Sequence, residues 1–150
     1  IYLLSFAYYV DAYFFHYAKR YPFAWQYQFD QLVPYLESQK HNYQNIYVTN
    51  KYDQPYILFL FFSHYPPSQI QSQIQLTPPD NFGFSTVLGY DNYHFGKINW
   101  DDIPTGSLVV ASDEDIPVNP DKIIYFSNQS PAFKIYQKIW SQKPPLSQSP

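Results

Sequence analysis

Residues 46–62 read IYVTNKYDQPYILFLFF, and their order of elements decides the fold. NIYVTN, over 45–50, is short, and Ile46, Val48 and Thr49 are β-branched, the side-chain shape that packs best on a pleated, half-buried surface. It predicts a buried strand. PYILFLFFSHY, over 55–65, is apolar on every face and opens with a proline suited to a first helical turn, which predicts a buried helix. A core strand is the competing reading. Strand, polar loop and helix in that order begin an α/β unit. The loop between them, TNKYDQPY, then lies outside the carboxyl end of a strand and beside a helix N-terminus, where α/β sheets bind ligands.

Upstream, Phe29, Leu32, Val33 and Leu36 recur at i, i+3, i+4 and i+7, one stripe of an amphipathic helix running to about Gln39. Pro34 sits badly inside it. Either Asp30 caps a helix whose first turn holds the proline, or a longer helix from about Ala24 is kinked there. HNYQN is a polar turn. Downstream, PPSQIQSQIQLTPPD holds a weak helical stretch between two Pro-Pro pairs. From Phe82 to Ile139 five β-rich runs follow: FSTVLGY, YHFGKI, SLVVA, KIIYFS and AFKIYQKI. Asp91-Asn92 separates the first two and Asn128-Gln129-Ser130-Pro131 the last two, turn chemistry that predicts antiparallel hairpins. DEDIPVNPD reads as a surface helix or turn. The expected fold class is α/β (α+β): a mixed sheet of about six strands, the first entered parallel through a helix, with antiparallel hairpins in the C-terminal half and helices packed on it.

Composition narrows the function. The chain has 150 residues, one domain's worth, of which 22% are aromatic and 14% charged; about 25% charged is usual. Such a chain is globular rather than disordered. Net charge is −3 and Arg20 is the single arginine, so the basic footprint of a nucleic-acid binder is missing and that class of partner is excluded. The lack of cysteine removes disulfides and thiolate nucleophiles. His16, His41, His64 and His94 have no metal-ligand spacing. Asp101-Asp102 and Asp113-Glu114-Asp115 do not follow the alternating pattern of a calcium loop and read as solvated acidic loops. No GxSxG elbow, P-loop or GxGxxG occurs. No residue pattern points to a metal ligand or to a catalytic group.

The TNKYDQPY loop carries the binding chemistry. Asn50, Tyr52, Asp53, Gln54 and Tyr56, with Thr49 and Lys51, offer aromatic faces and planar amides suited to sugar CH faces and hydroxyls. In the structural alternative Asn50 and Asp53 cap the turn and helix while the tyrosines pack. Trp25, Gln26 and Tyr27 form a second aromatic and polar cluster, whose alternative is burial of Trp25 under the first helix.

At the start, IYLLSFAYYV is apolar and then aromatic up to Lys19 and Arg20. A spanning helix needs about 20 apolar residues, and the order of charges is wrong for a signal peptide. The expectation is a piece of a longer polypeptide, with 1–20 as the end of a transmembrane or juxtamembrane helix whose tyrosines gather where a bilayer meets water. An aromatic core helix is the alternative. Residues 21–140 are expected to form the soluble α/β domain, and 141–150, SQKPPLSQSP, a disordered tail.

The succession YFFHYAKRYPFAWQYQF, an amphipathic helix, IYVTNKYDQPYILFLFF and hairpins closing on SPAFKIY resembles the C-terminal soluble domain of prokaryotic membrane glycosyltransferases related to protein O-mannosyltransferases and aminoarabinose transferases. The resemblance spans roughly residues 8–138. Pro34 and the scarcity of arginine depart from the pattern. The resemblance implies a parent whose transmembrane half uses a polyprenyl-phosphate-linked sugar and holds the catalytic acid in an external loop, so no catalytic residue carries over and this fragment needs no cofactor. It implies a non-catalytic, membrane-anchored domain on the extracytoplasmic side, partnered by the membrane-embedded half of the same polypeptide and positioning a glycan or acceptor. Lys19 and Arg20, just past the helix end, favour a cytoplasmic side instead. Two other classes stay open: a free-standing soluble enzyme whose site the fold assembles, and a surface or filament subunit, although Ser5 stands where a pilin-type start has an acid.

Overall fold

The β-branched run forms a strand, β1 (Ile46–Thr49), in the computed structural model, which describes residues 1–139. The expected disordered tail at 141–150 therefore lies outside the described residues. Six further strands follow: β2 (Gln75–Leu76), β3 (Val87–Tyr90), β4 (Tyr93–Gly96), β5 (Ser107–Ala111), β6 (Lys122–Tyr125) and β7 (Pro131–Lys138). They form one sheet in the order β2-β3-β4-β1-β5-β7-β6. β1 lies at the centre, parallel to β4 and β5, and the other pairings are antiparallel. Both expected hairpins form. Asp91 at φ 51° and Gln129 at φ 68° supply the left-handed residues their turns need.

The sheet has seven strands where about six were expected. The extra one is β2, within the segment read as weakly helical, and only Pro67–Gln73 of that segment is a helix. Two residues are too few to show an alternation. The strand exists because Thr77 N donates to Thr86 O at 2.8 Å and holds it against β3.

The helices are α1 (Tyr2–Val10), continued by a π-helical stretch Asp11–Tyr17 and by α2 (Ala18–Arg20), then α3 (Phe29–Gln39), α4 (Tyr56–Ser63) and α5 (Pro67–Gln73). α3 lays Phe29, Leu32, Val33 and Leu36 onto the face of the sheet that presents Ile46, Val48, Phe95 and Val110. On the opposite face Ile98 and Ile103 pack on Val109, Ala111 and Tyr136 of β5 and β7, with Tyr47 of β1 against the edge of that cluster.

Three expectations are corrected. The start of α3 matches neither alternative: Gln28, left-handed at φ 78°, precedes the helix, Asp30 lies in its first turn, and Pro34 lies beyond that turn. Pro34 is exposed, so water reaches the Asp30 carbonyl that its missing N–H leaves open. α4 is not a buried helix. Phe59 is its one buried residue, while Ile57 and Phe61 are exposed, because a helix lying on one face of a sheet has an outer side whatever its composition. Nor is the N-terminal helix a core helix. No residue of α1 or of the π-helical stretch is buried, and Leu3 and Leu4 are 85% and 77% exposed, because α3 and α4 already cover the sheet face. Among the described residues no helix is long and apolar enough to cross a membrane.

Candidate functional site

At Thr49 two parallel strands end side by side: Asn50 N still donates to Gly96 O of β4, at 3.1 Å. From there the loop is held by side chains. The buried Thr49 hydroxyl donates to the Glu114 carboxylate, which also accepts from Ser112 N at 2.7 Å. Lys51 N donates to Thr49 Oγ1 at 3.2 Å, and Lys51 Nζ lies 3.1 Å from Asp113 Oδ1. Glu114 is therefore a clamp and not part of a solvated loop. A half-buried carboxylate is stable where it accepts hydrogen bonds, and here two donors meet Glu114.

Tyr52 turns inward. It is 2% exposed, its ring centroid lies 5.1 Å from that of Phe29 and 5.0 Å from that of Phe133, and its hydroxyl donates to Ala132 O at 3.4 Å. Burial pushes its phenol up to about 12. The loop then bends at Gln54, φ 48°, and Pro55 starts α4, with Leu58 N and Phe59 N both donating to Pro55 O at 3.1 Å. α4 carries no side-chain cap. The Asn50 amide and the Asp53 carboxylate are thus not engaged in capping it.

This course leaves Asn50, Asp53, Gln54 and Tyr56 along one side of a cleft of about 350 Å³. Thr77, Thr86, Val87 and Leu88 line it from the β2–β3 edge, and Phe95, Gly96 and Lys97 from the end of β4. Thr86 N donates to Thr77 Oγ1 at 2.9 Å, which brings the two threonines together at the rim. Tyr56 OH lies 3.5 Å from Gln54 Oε1 and orients that amide. An ammonium, a carboxylate, two amides, hydroxyls and an aromatic face converge on a small hollow. That set has donors and acceptors enough to hydrogen-bond a polyhydroxylated ligand in both directions, and apolar surface for its CH groups.

The structure thus brings together four of the seven residues singled out in the sequence. Tyr52 belongs to the core. Trp25 and Tyr27 do not line the cleft: Trp25, 44% exposed, sets its ring edge-on against Tyr13 and Tyr17 at 5.8 and 5.9 Å, so it covers one side of the first helix instead of lying buried beneath it. Thr77, Thr86 and Lys97 escaped the sequence reading because pairing across the sheet, and no local pattern, carries them to the loop.

A second polar group sits elsewhere. Tyr93 OH donates to Glu37 Oε1 at 2.9 Å, and Lys40 Nζ lies 2.8 Å from Glu37 and 3.3 Å from Asp91. It ties α3 to the β3–β4 turn. Among the described residues no group of three or more His, Asp or Glu side chains could share a metal ion. Comparison with protein-family models, with curated proteins and with solved structures returned no match for the chain.

Proposed function

We propose that this chain is the non-catalytic extracytoplasmic domain of a membrane glycosyltransferase and that the cleft at Asn50, Asp53, Gln54 and Tyr56 positions a glycan or acceptor. The observation that carries the binding role is the cleft itself. It lies outside the carboxyl ends of the parallel strands β1 and β4 and beside the start of α4, and its lining mixes hydroxyls, amides and an aromatic face. Its size sits near the lower end of small-molecule sites, roughly 300–1,000 Å³, which suits a sugar unit better than a nucleotide cofactor. The exposed apolar surface of α1 supports the attachment to a membrane-embedded half, since large uncovered apolar surface marks contact with lipid or protein. The donor is then a polyprenyl-phosphate-linked sugar handled by that half, and this domain needs no cofactor of its own.

Two experiments test the reading. Titration of the chain with a panel of neutral monosaccharides, followed by amide NMR, moves the resonances of Asn50, Gln54 and Tyr56, and Asp53→Ala weakens binding by about tenfold. If no sugar shifts those resonances, the binding role is lost and a structural appendage remains. The attachment is read from the gene: a series of long apolar helices encoded ahead of Ile1 supports it, whereas a signal peptide or a clean start there removes the transferase.

A further inference from the structure

The sheet face opposite α3 and α4 carries a second hollow of about 340 Å³ over the half-buried Tyr47 of β1 and His94 of β4. Tyr47, His94, Gln75 and Ile98 line it, together with Leu88, Phe95, Gly96 and Lys97, and these last four also line the cleft. The two hollows therefore meet around the end of β4. Tyr47 and His94 stand opposite each other in the parallel β1–β4 ladder, and their rings stack with centroids 4.9 Å apart and planes 21° apart. His94 Nε2 lies 2.9 Å from Asn45 Oδ1, which holds the imidazole plane. Each ring covers one face of the other, so the pair offers a ligand its outer faces and edges, already fixed in place, in a hollow that Gln75 and Lys97 also line. At the junction Gly96 presents no side chain, and a Cβ built there meets nothing within 4 Å.

We propose that the two hollows are adjacent subsites of one groove for an oligosaccharide, with one sugar unit in the cleft and the next stacked on the Tyr47–His94 platform, the linkage passing over Gly96 beside Lys97. This rests on the sugar-binding reading of the cleft. Ring faces bounded by an amide and an ammonium match the CH face and hydroxyls of a pyranose. An extended peptide would bind a sheet by adding a strand at a free edge, and β4 is paired on both sides, with β3 and with β1.

The test is calorimetric titration of the 150-residue chain with methyl glycosides of glucose, mannose and galactose and with the matching di- and trisaccharides. A disaccharide is expected to bind about tenfold more tightly than its methyl glycoside. Tyr47→Ala removes that gain and leaves methyl glycoside binding unchanged. Gln75→Ala, at an exposed residue that lines the second hollow and not the cleft, reduces the same gain and leaves methyl glycoside binding unchanged, so it reports on the groove even if Tyr47→Ala unfolds. Asp53→Ala weakens both ligands. Affinity independent of chain length, or a gain that survives both Tyr47→Ala and Gln75→Ala, overturns the inference while the cleft stays a one-unit site. If no sugar of any length binds, the reading of the cleft fails and the groove with it.

Discussion

Gly89 shows how one residue sets the β3–β4 hairpin. A Cβ placed on it would lie 2.4 Å from Tyr93 O, a backbone atom that cannot swing aside. Gly89→Ala is therefore expected to lower the unfolding free energy by about 1–3 kcal/mol, read as a lower urea midpoint with an unchanged slope; an unaltered midpoint means that the hairpin yields. Glu114 works on the loop. Glu114→Ala strips the partner from the buried Thr49 hydroxyl and from Ser112 N, and is expected to cost about 1–3 kcal/mol and to weaken sugar binding without touching the cleft. Restored binding in Glu114→Gln, whose oxygen still accepts from Ser112 N while its NH2 donates to the Thr49 hydroxyl, separates the clamp's geometry from its charge. Neither role was visible in the sequence. Gly89 stood in an ordinary strand pattern, and Glu114 stood in an acidic run where solvation is the usual fate; what distinguishes both is an atom brought near by a distant segment.

At the scale of the element, helices were legible wherever periodicity was strong. α3 runs over Phe29–Gln39 with the four buried positions its spacing predicts, and the same spacing could not say how Pro34 is accommodated. Pro34→Ala supplies an N–H to the Asp30 carbonyl on an exposed helix face. It is expected to raise the unfolding free energy by about 1–3 kcal/mol, seen as a higher melting temperature; a fall would mean that the proline's restraint on the unfolded chain matters more. α4 illustrates the opposite case. Its uniform apolarity gave no face to orient, so Ile57 and Phe61 could not be told from Phe59 before the sheet was in place. Replacing both by Ser is expected to change stability by less than about 1 kcal/mol, as exposed positions do. A larger loss in chemical denaturation would show that they are covered.

The whole molecule carries an unusual load of buried phenols. Burial holds Tyr90 and Tyr93 well above the ordinary tyrosine value of 10.0 and Tyr52 at about 12. The folded state thus keeps protons that the unfolded state releases. Stability from these groups is fully present below about pH 10 and is lost as pH climbs toward their folded values. Tyrosinate absorbance is expected to rise in two phases, exposed rings first and the buried set together with cooperative unfolding. A single smooth titration with the fold intact would contradict the burial. At this scale the division of labour is plain. The sequence by itself determined the α/β class, the strand–loop–helix unit, the hairpins and α3, because propensity, turn chemistry and periodicity act within a few residues. Tertiary structure alone decided β2, the inward turn of Tyr52, the separation of Trp25 and Tyr27 from the cleft, and the arrival of Thr77, Thr86 and Lys97 beside Asp53. Those depend on which strands become neighbours, and neighbours in a sheet are chosen by the packing of the whole core.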